Sequence, residues 1–323
     1  MEKPKRPVSG TDYPGSFREF ERWFSSEDAC HEYIAKLRWP DGFTCPCCGE
    51  KPDKPSLMGR GHFLCRKCKR QTSVTAGTLF HGSREPLRKW FLAIWFVTSR
   101  KNGVSALELK RILGLGSYNT AWNWLHKLRH AMVRPEKDRL SGEVEVDESY
   151  LMGVGTKAGG QDVQPRTIVA IAAEVRGRGM GRICLRKIPD LSATSLQGFI
   201  GDNVQRGSEL KTGDWPGYNG LEVMGYKHRR INIANSGDPA YVVMPRIHKV
   251  ASLLDRWWSG IRRGATKPSH LDYYLDEFTF RFNRRTSKAG GLLFYRLMEQ
   301  AVDCHPVPRK MIMGGKSQQA VHG

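Results

Sequence analysis

Glu143-Val-Glu-Val-Asp-Glu-Ser-Tyr150 sets four carboxylates in eight residues and interleaves them with valines. The chain around it is basic, with 52 Lys and Arg against 32 Asp and Glu and a formal net charge of +20. Strict alternation up to Asp147 predicts a β-strand. Val144 and Val146 fall on one face, and Glu143, Glu145 and Asp147 on the other. An acidic strand face is ordinarily solvated, and that is the expectation for Glu145 and Glu148. Asp147 is decided by what the fold lays beside it.

Downstream, Arg166–Glu174 and Met180–Ile188 read as two further strands, with Gly153–Gly160 a flexible loop. Ser192–Val204 reads as a helix capped by Ser192, and Glu209–Trp215 as a short strand ending at Asp214. Three strands, a helix and another strand is the order of an RNase H-like core. This predicts an α/β fold with a mixed sheet, in which the first and fourth strands lie side by side. Asp147 and Asp214 would then be neighbours. Two ionised carboxylates that close repel and call for a cation between them. Oxygen-only ligands favour Mg2+ or Mn2+, and two such ions about 4 Å apart serve phosphoryl transfer.

Upstream, Cys45-Pro-Cys-Cys48 and Cys65-Arg-Lys-Cys68 supply two C-x-x-C pairs across a turn-rich stretch. Cys45, Cys48, Cys65 and Cys68 thus have the spacing of a structural four-thiolate zinc site, with Cys47 a possible substitute ligand. Leu87, Trp90, Phe91, Ile94 and Trp95 recur at helical spacing. Ser105 to Leu113 reads as a capped helix with Glu108 three residues after its cap. Gly114-Leu-Gly116 breaks it, and Ser117 opens a longer helix. Helix, glycine turn, helix predicts a helix-turn-helix DNA reader, with Tyr118, Asn119, Asn123 and Lys127 toward a groove.

The chain of 323 residues has room for more than one domain. No run approaches the roughly 18 apolar residues of a membrane span, and the first residues lack the apolar core of a signal peptide. A cytoplasmic, nucleoid-associated protein is expected, with no membrane partner and with paired cysteines serving metal rather than disulfides. The spread of basic residues suits double-stranded DNA.

At VDESY, TGDWPGY, YKHRRIN and the tail HLDYYLDEFTFRFNRRTSKAGGLLFYRLMEQAV, the chain resembles bacterial insertion-sequence transposases. The resemblance is to the group with an N-terminal zinc ribbon and a DDE-type, RNase H-like domain. It implies metal-dependent DNA cleavage and strand transfer at terminal inverted repeats, by a homo-oligomer on DNA. By motif match, Asp147 and Asp214 take the places of the first two catalytic acids. The third falls in the helical segment from His248, where His248, Ser252, Asp255 and Ser259 share one face and Asp255 is its acid. Glu277 competes, although Arg281 and Arg284 at helical spacing suggest an ion pair for it. His228, Arg281, Arg284 and Arg285 are the further candidate DNA contacts. The expected domains are a ribbon region at 20–80, a helix-turn-helix region at 84–135 and a catalytic domain at 142–302. A zinc-ribbon regulator or retired copy that no longer cuts, and a structure-selective nuclease of the same fold, are the competing functions.

Overall fold

The structure is a computed structural model that describes residues 6–52, 57–59, 61–100, 103–133, 139–151, 167–232, 237, 239–261, 268–287 and 290–314. The 153–160 loop, Arg134-Pro135, Arg262-Arg263 and the last residues from 315 lie outside them. The chain forms two compact units, one of residues 1–132 with 286–312 and one of residues 133–285 with 313–323.

The first unit begins with α1 (Phe17–Trp23) and α2 (Glu27–Arg38), capped by the Ser16 and Ser26 hydroxyls. A three-stranded antiparallel ribbon follows, β1 (Leu57–Met58), β2 (His62–Leu64) and β3 (Gln71–Ser73). Then come α3 (Leu87–Ser99), α4 (Ala106–Leu113) and α5 (Tyr118–Ala131). Ser105 and Ser117 cap α4 and α5 as the sequence predicts, and Gly114 ends α4 at φ 61°, a left-handed conformation that glycine adopts without strain. Proline precedes α3 in place of a capping side chain, so its free N–H groups are met from elsewhere. The Glu27 carboxylate accepts from Leu87 N at 2.8 Å and Arg88 N at 2.9 Å. A carboxylate there also complements the positive end of the helix dipole.

The second unit is a five-stranded sheet of order β6-β5-β4-β7-β8. Its strands are β4 (Glu143–Leu151), β5 (Thr167–Arg176), β6 (Gly179–Ile188), β7 (Glu209–Gly213) and β8 (Lys227–Ile231), with α6 (Ala193–Asn203) before β7. β4 pairs antiparallel with β5 and parallel with β7. This mixed order, with the first and fourth strands adjacent, is the RNase H-like arrangement. Strand β8 completes it. Helices α7 (Ala240–Val243), α8 (Pro245–Ile261) and α9 (Leu271–Asn283) close the unit.

Both faces of the sheet are covered. Val144, Val146, Ala170 and Leu210 pack with Leu196, Phe199 and Ile200 of α6. On the other face, Val169, Ile171 and Ile183 pack with Val250, Leu254 and Trp258 of α8 and with Leu275 and Phe278 of α9. The outer strand β6 is capped along its edge by polar side chains of α9. Asn283 accepts from Ile183 N and donates to Ile183 O, and Asp272 accepts from Lys187 N. An otherwise open strand edge is thereby satisfied.

Residues 290–303 depart from the expected catalytic range ending at 302, and the ribbon and helical regions form one body rather than two. Helix α10 (Gly290–Asp303) belongs to the first unit. Its Phe294 is fully buried among Phe20, Phe24 and Trp95, with ring centroids 5.5, 5.8 and 5.6 Å away. Gly291 lets the helix approach the chain at Pro14, whose carbonyl oxygen would lie 1.8 Å from any Cβ placed there. An amphipathic helix shows its apolar stripe in sequence but not which surface takes it. Phe294→Ala should therefore destabilise the first unit by about 3–5 kcal/mol. Hydrogen exchange read separately over α2, α3 and β4–β6 checks this: protection should fall in the helices and persist in the sheet.

Candidate functional site

The two C-x-x-C segments fold as matching knuckles. Gly49 N donates to Cys45 O and Lys69 N to Cys65 O, each at 2.9 Å. Gly49 and Lys69 take left-handed φ values of 70° and 60° at equivalent places. Sulfur separations are 3.7 Å for Cys45–Cys68 and 3.6 Å for Cys48–Cys65, and all four lie within 4.8 Å of one another. A tetrahedron of Zn–S bonds of about 2.3 Å has edges of about 3.8 Å, so the set fits zinc closely. Backbone N–H groups, that of Cys68 first, hold the Cys65 thiol down at about 7, toward the thiolate that zinc needs. Cys47 is exposed and outside the group, with its sulfur 3.6 Å from Arg70 Nη1.

In the second unit, Asp147 faces the α8 side of the sheet, opposite Ile171 of β5. Its neighbour Glu148 faces the α6 side, opposite Ala170. Burial, and then the adjacent Glu148 charge, push the Asp147 carboxyl up to about 7. A half-buried acid crowded by a second carboxylate is what a cation would relieve. The ladder between β4 and β7 ends at Val146 and Thr212. Asp214 follows one residue past the end of β7, exposed, and accepts from Asn232 Nδ2 at 3.0 Å. Asp147, in mid-strand, and Asp214 thus both follow the point where the parallel β4–β7 ladder stops. Asp255 is exposed on α8, on the face it shares with Ser252 and Ser259, and partial burial raises its pKa. Among the described residues, the four cysteines alone have their ligand atoms drawn within 4.8 Å, so the acids are not gathered that tightly. Oxygen donors of this kind, one of them crowded, suit Mg2+ or Mn2+.

Several expectations shift. Glu145 is not solvated: it is fully buried, and accepts from Arg246 Nη1 at 2.8 Å, Arg246 N at 3.0 Å and Ile247 N at 3.3 Å. It caps α8. Glu277 is buried and accepts from Arg281 Nε and Nη2, the ion pair its spacing suggested. That leaves Arg281 committed inward rather than to DNA. Arg284 stacks on Phe280, and Arg285 donates to the carbonyls of Met180 and Gly181. His228 has no exposed side-chain surface; its Nε2 lies 2.9 Å from Thr212 Oγ1 and its Nδ1 3.3 Å from Glu222. Burial lowers its pKa toward the neutral form, although the nearby Glu222 opposes this. On α5, Tyr118 and Asn119 are exposed at the first turn, whereas Asn123 and Lys127 are half-buried, and burial lowers the Lys127 pKa.

Sequence reading missed the partner of Glu148. The Tyr218 hydroxyl, from the turn Pro216–Tyr218, donates to Glu148 Oε2 at 2.9 Å. Burial, and then the Glu148 and Asp147 charges, raise its pKa and keep it a donor. Nothing in the spacing of Glu148 and Tyr218 signals the pair. Trp215 is 48% exposed beside Asp214, its indole fixed by a 2.8 Å hydrogen bond to Leu191 O. Among the described residues, no helix is long and apolar enough to cross a membrane.

Residues 139–283 match the family model of the ISXO2-like transposase domain, and residues 25–71 that of the transposase zinc-ribbon domain. The uncharacterized protein in transposable element ISH50 of Halobacterium salinarum is 26% identical over 283 residues, which is 80% of this chain and 91% of that protein. Among solved structures, the pre-cleavage Mos1 transpososome is 13% identical over 69% of this chain and 80% of that one, with a TM-score of 0.26. The Mos1 strand transfer complex is 12% identical over 69% of this chain and 77% of that one, also at 0.26.

Two predictions follow the geometry. Cys65→Ser should lose zinc and melt the ribbon, while Cys47→Ser keeps zinc at the parent's stoichiometry; atomic absorption on the purified proteins reads both. The second concerns pH. The unfolded Asp147 loses its proton near 3.8 and the folded one only near 7. Across that window folding retains a proton the unfolded chain has released, so the stability of protein free of divalent metal falls as pH rises. Asp147→Asn should melt higher than the parent at pH 8, with the gap closing toward pH 5.

Proposed function

The chain belongs to the insertion-sequence transposases with an N-terminal zinc ribbon, and we propose that it binds the ends of a DNA element and cuts and joins them. The observation that supports this reading is the parallel pairing of β4 and β7, whose ladder stops just before Asp147 and shortly before Asp214. Asp255, exposed on α8, is the third acid in the proposal.

Mg2+ or Mn2+ held by Asp147, Asp214 and Asp255 would supply Lewis-acid activation of the attacking oxygen and stabilise the leaving one. The chain's own part is to fix the acids. β4 holds Asp147 rigidly by its pairing with β5. Asp214 and Asp255 stay exposed. Asp147 must give up its proton before it can bind a cation, which its crowding by Glu148 resists and a bound cation favours. Trp215, half exposed and fixed in orientation, offers a flat apolar surface beside Asp214. The basic charge of the chain supplies phosphate attraction that is independent of sequence. Base reading is assigned to Tyr118 and Asn119 at the start of α5, with Asn123 and Lys127 further along that helix. Zinc at the four cysteines serves structure, since four thiolates leave no open position for chemistry. Joining two element ends calls for at least two copies of the chain.

The test is nicking of a labelled duplex that carries the terminal repeat flanking the gene, with Mg2+, by the parent and by Asp147→Ala. Cleavage at the element end by the parent, absent from the variant, is the expected result. Tight binding by both with cleavage by neither would overturn the catalytic reading and leave a DNA-binding regulator. The same assay ranks the third acid: Asp255→Asn should be dead and Glu277→Gln should cut if it folds.

A further inference from the structure

Asp214 lies beyond the end of its strand, so the sheet does not by itself set its distance from Asp147. β7 stops pairing with β4 at Thr212 and with β8 at Gly213. From Asp147 to Leu151, β4 continues with β5 as its recorded strand partner. Backbone pairing therefore does not join β4 to the segment Asp214–Tyr218. That segment is anchored on one side by Trp215 Nε1, which donates to Leu191 O at 2.8 Å. Gly217 packs beneath it so closely that a Cβ would lie 2.6 Å from Leu191 O. On the other side, the Tyr218 hydroxyl donates to Glu148 Oε2 of β4 at 2.9 Å. Tyr218 is 1% exposed and Glu148 half-buried, so the hydroxyl end of this bond is held by the core.

We propose that Tyr218 and Glu148 are a positioning pair, which ties the segment carrying Asp214 to the strand carrying Asp147 and so sets the spacing of the two acids. The inference rests on the metal-binding reading of those acids. Glu148 acts through Tyr218: across the β4–β5 ladder it lies opposite Ala170 of the α6-side cluster, whereas Asp147 lies opposite Ile171 of the α8-side cluster. The tie fixes the carboxylates before a cation arrives, so a metal site need not be assembled from two independently moving segments. Partners of this kind typically change metal affinity by about 10–100-fold.

Mn2+ binding to the zinc-loaded protein without DNA, followed by calorimetry, tests it. Tyr218→Phe keeps the ring and removes the hydroxyl; Glu148→Ala removes the acceptor. Each should weaken Mn2+ binding about 10-fold, and the double variant should be no weaker than the worse single one. Glu148→Gln, which still offers an oxygen to the hydroxyl, should recover most of the affinity lost in Glu148→Ala. Parental affinity in Tyr218→Phe, with or without a lower melting temperature, overturns the proposal, as do additive losses. Should Tyr218→Phe fail to fold, the two Glu148 variants decide: equal weakening by Gln and Ala overturns the tie. Mn2+ affinity that is the same in the parent and Asp147→Ala would sink the metal-binding reading itself, an outcome distinct from a failure of the pair alone.

Discussion

Glu145 is the constraint on which the second unit is built. Its carboxylate has no exposed surface and holds the first turn of α8 through two backbone N–H groups and the Arg246 guanidinium. A carboxylate cannot be buried unpaired without a large desolvation cost, so this geometry holds only while α8 starts at that point. Arg246 then reaches past it to the carbonyls of Gly177 and Gly179, between β5 and β6. One ion pair thus joins the central strand, the hairpin beside it and the helix above. The apolar stripe of α8, Val250, Leu254 and Trp258, lands on Ile171 and Val169 as a consequence. Asp255, outside that stripe, is turned outward by the same register.

The first unit uses the same device. α3 begins at a proline and has no capping side chain of its own, and Glu27 of α2 supplies one from sixty residues away in the chain. In both units a helix is located by a carboxylate from another element, through directional bonds that apolar packing cannot provide. Packing tolerates sliding by a fraction of a turn, whereas a cap specifies which residue comes first.

Local chemistry was legible in the sequence, and long-range chemistry was not. The four zinc cysteines follow from spacing, because a knuckle is closed by bonds within a few residues. Serine caps at Ser105, Ser117 and Ser192 follow for the same reason. The alternation of β4 gave its two faces correctly, yet alternation is silent on what covers a face, and so Glu145 read as solvated. His228, Arg281 and Arg285 read as DNA contacts because their charge is visible in sequence. Their partners, Thr212, Glu277 and the carbonyls of β6, become neighbours only through the fold. Helix α10 was misassigned by proximity along the chain, since the aromatic pocket for Phe294 is built from residues near the other end.

The acids of the second unit can be sorted by how their charge is satisfied. Glu145 has Arg246 and a helix end; Glu174 has Arg182, whose Nη2 approaches to 2.6 Å; Glu277 has Arg281. Each is met by a full positive charge and is thereby removed from chemistry. Asp147 faces the opposite situation, half-buried beside another carboxylate with its proton affinity raised. Asp214 and Asp255 are exposed, and the bond drawn to Asp214 comes from a neutral amide. A fold that matches its structural carboxylates with arginines, in a chain with 52 Lys and Arg, has not run short of cations. Among the described residues no Lys or Arg is paired with Asp147, which leaves a carboxyl site that a divalent ion can use.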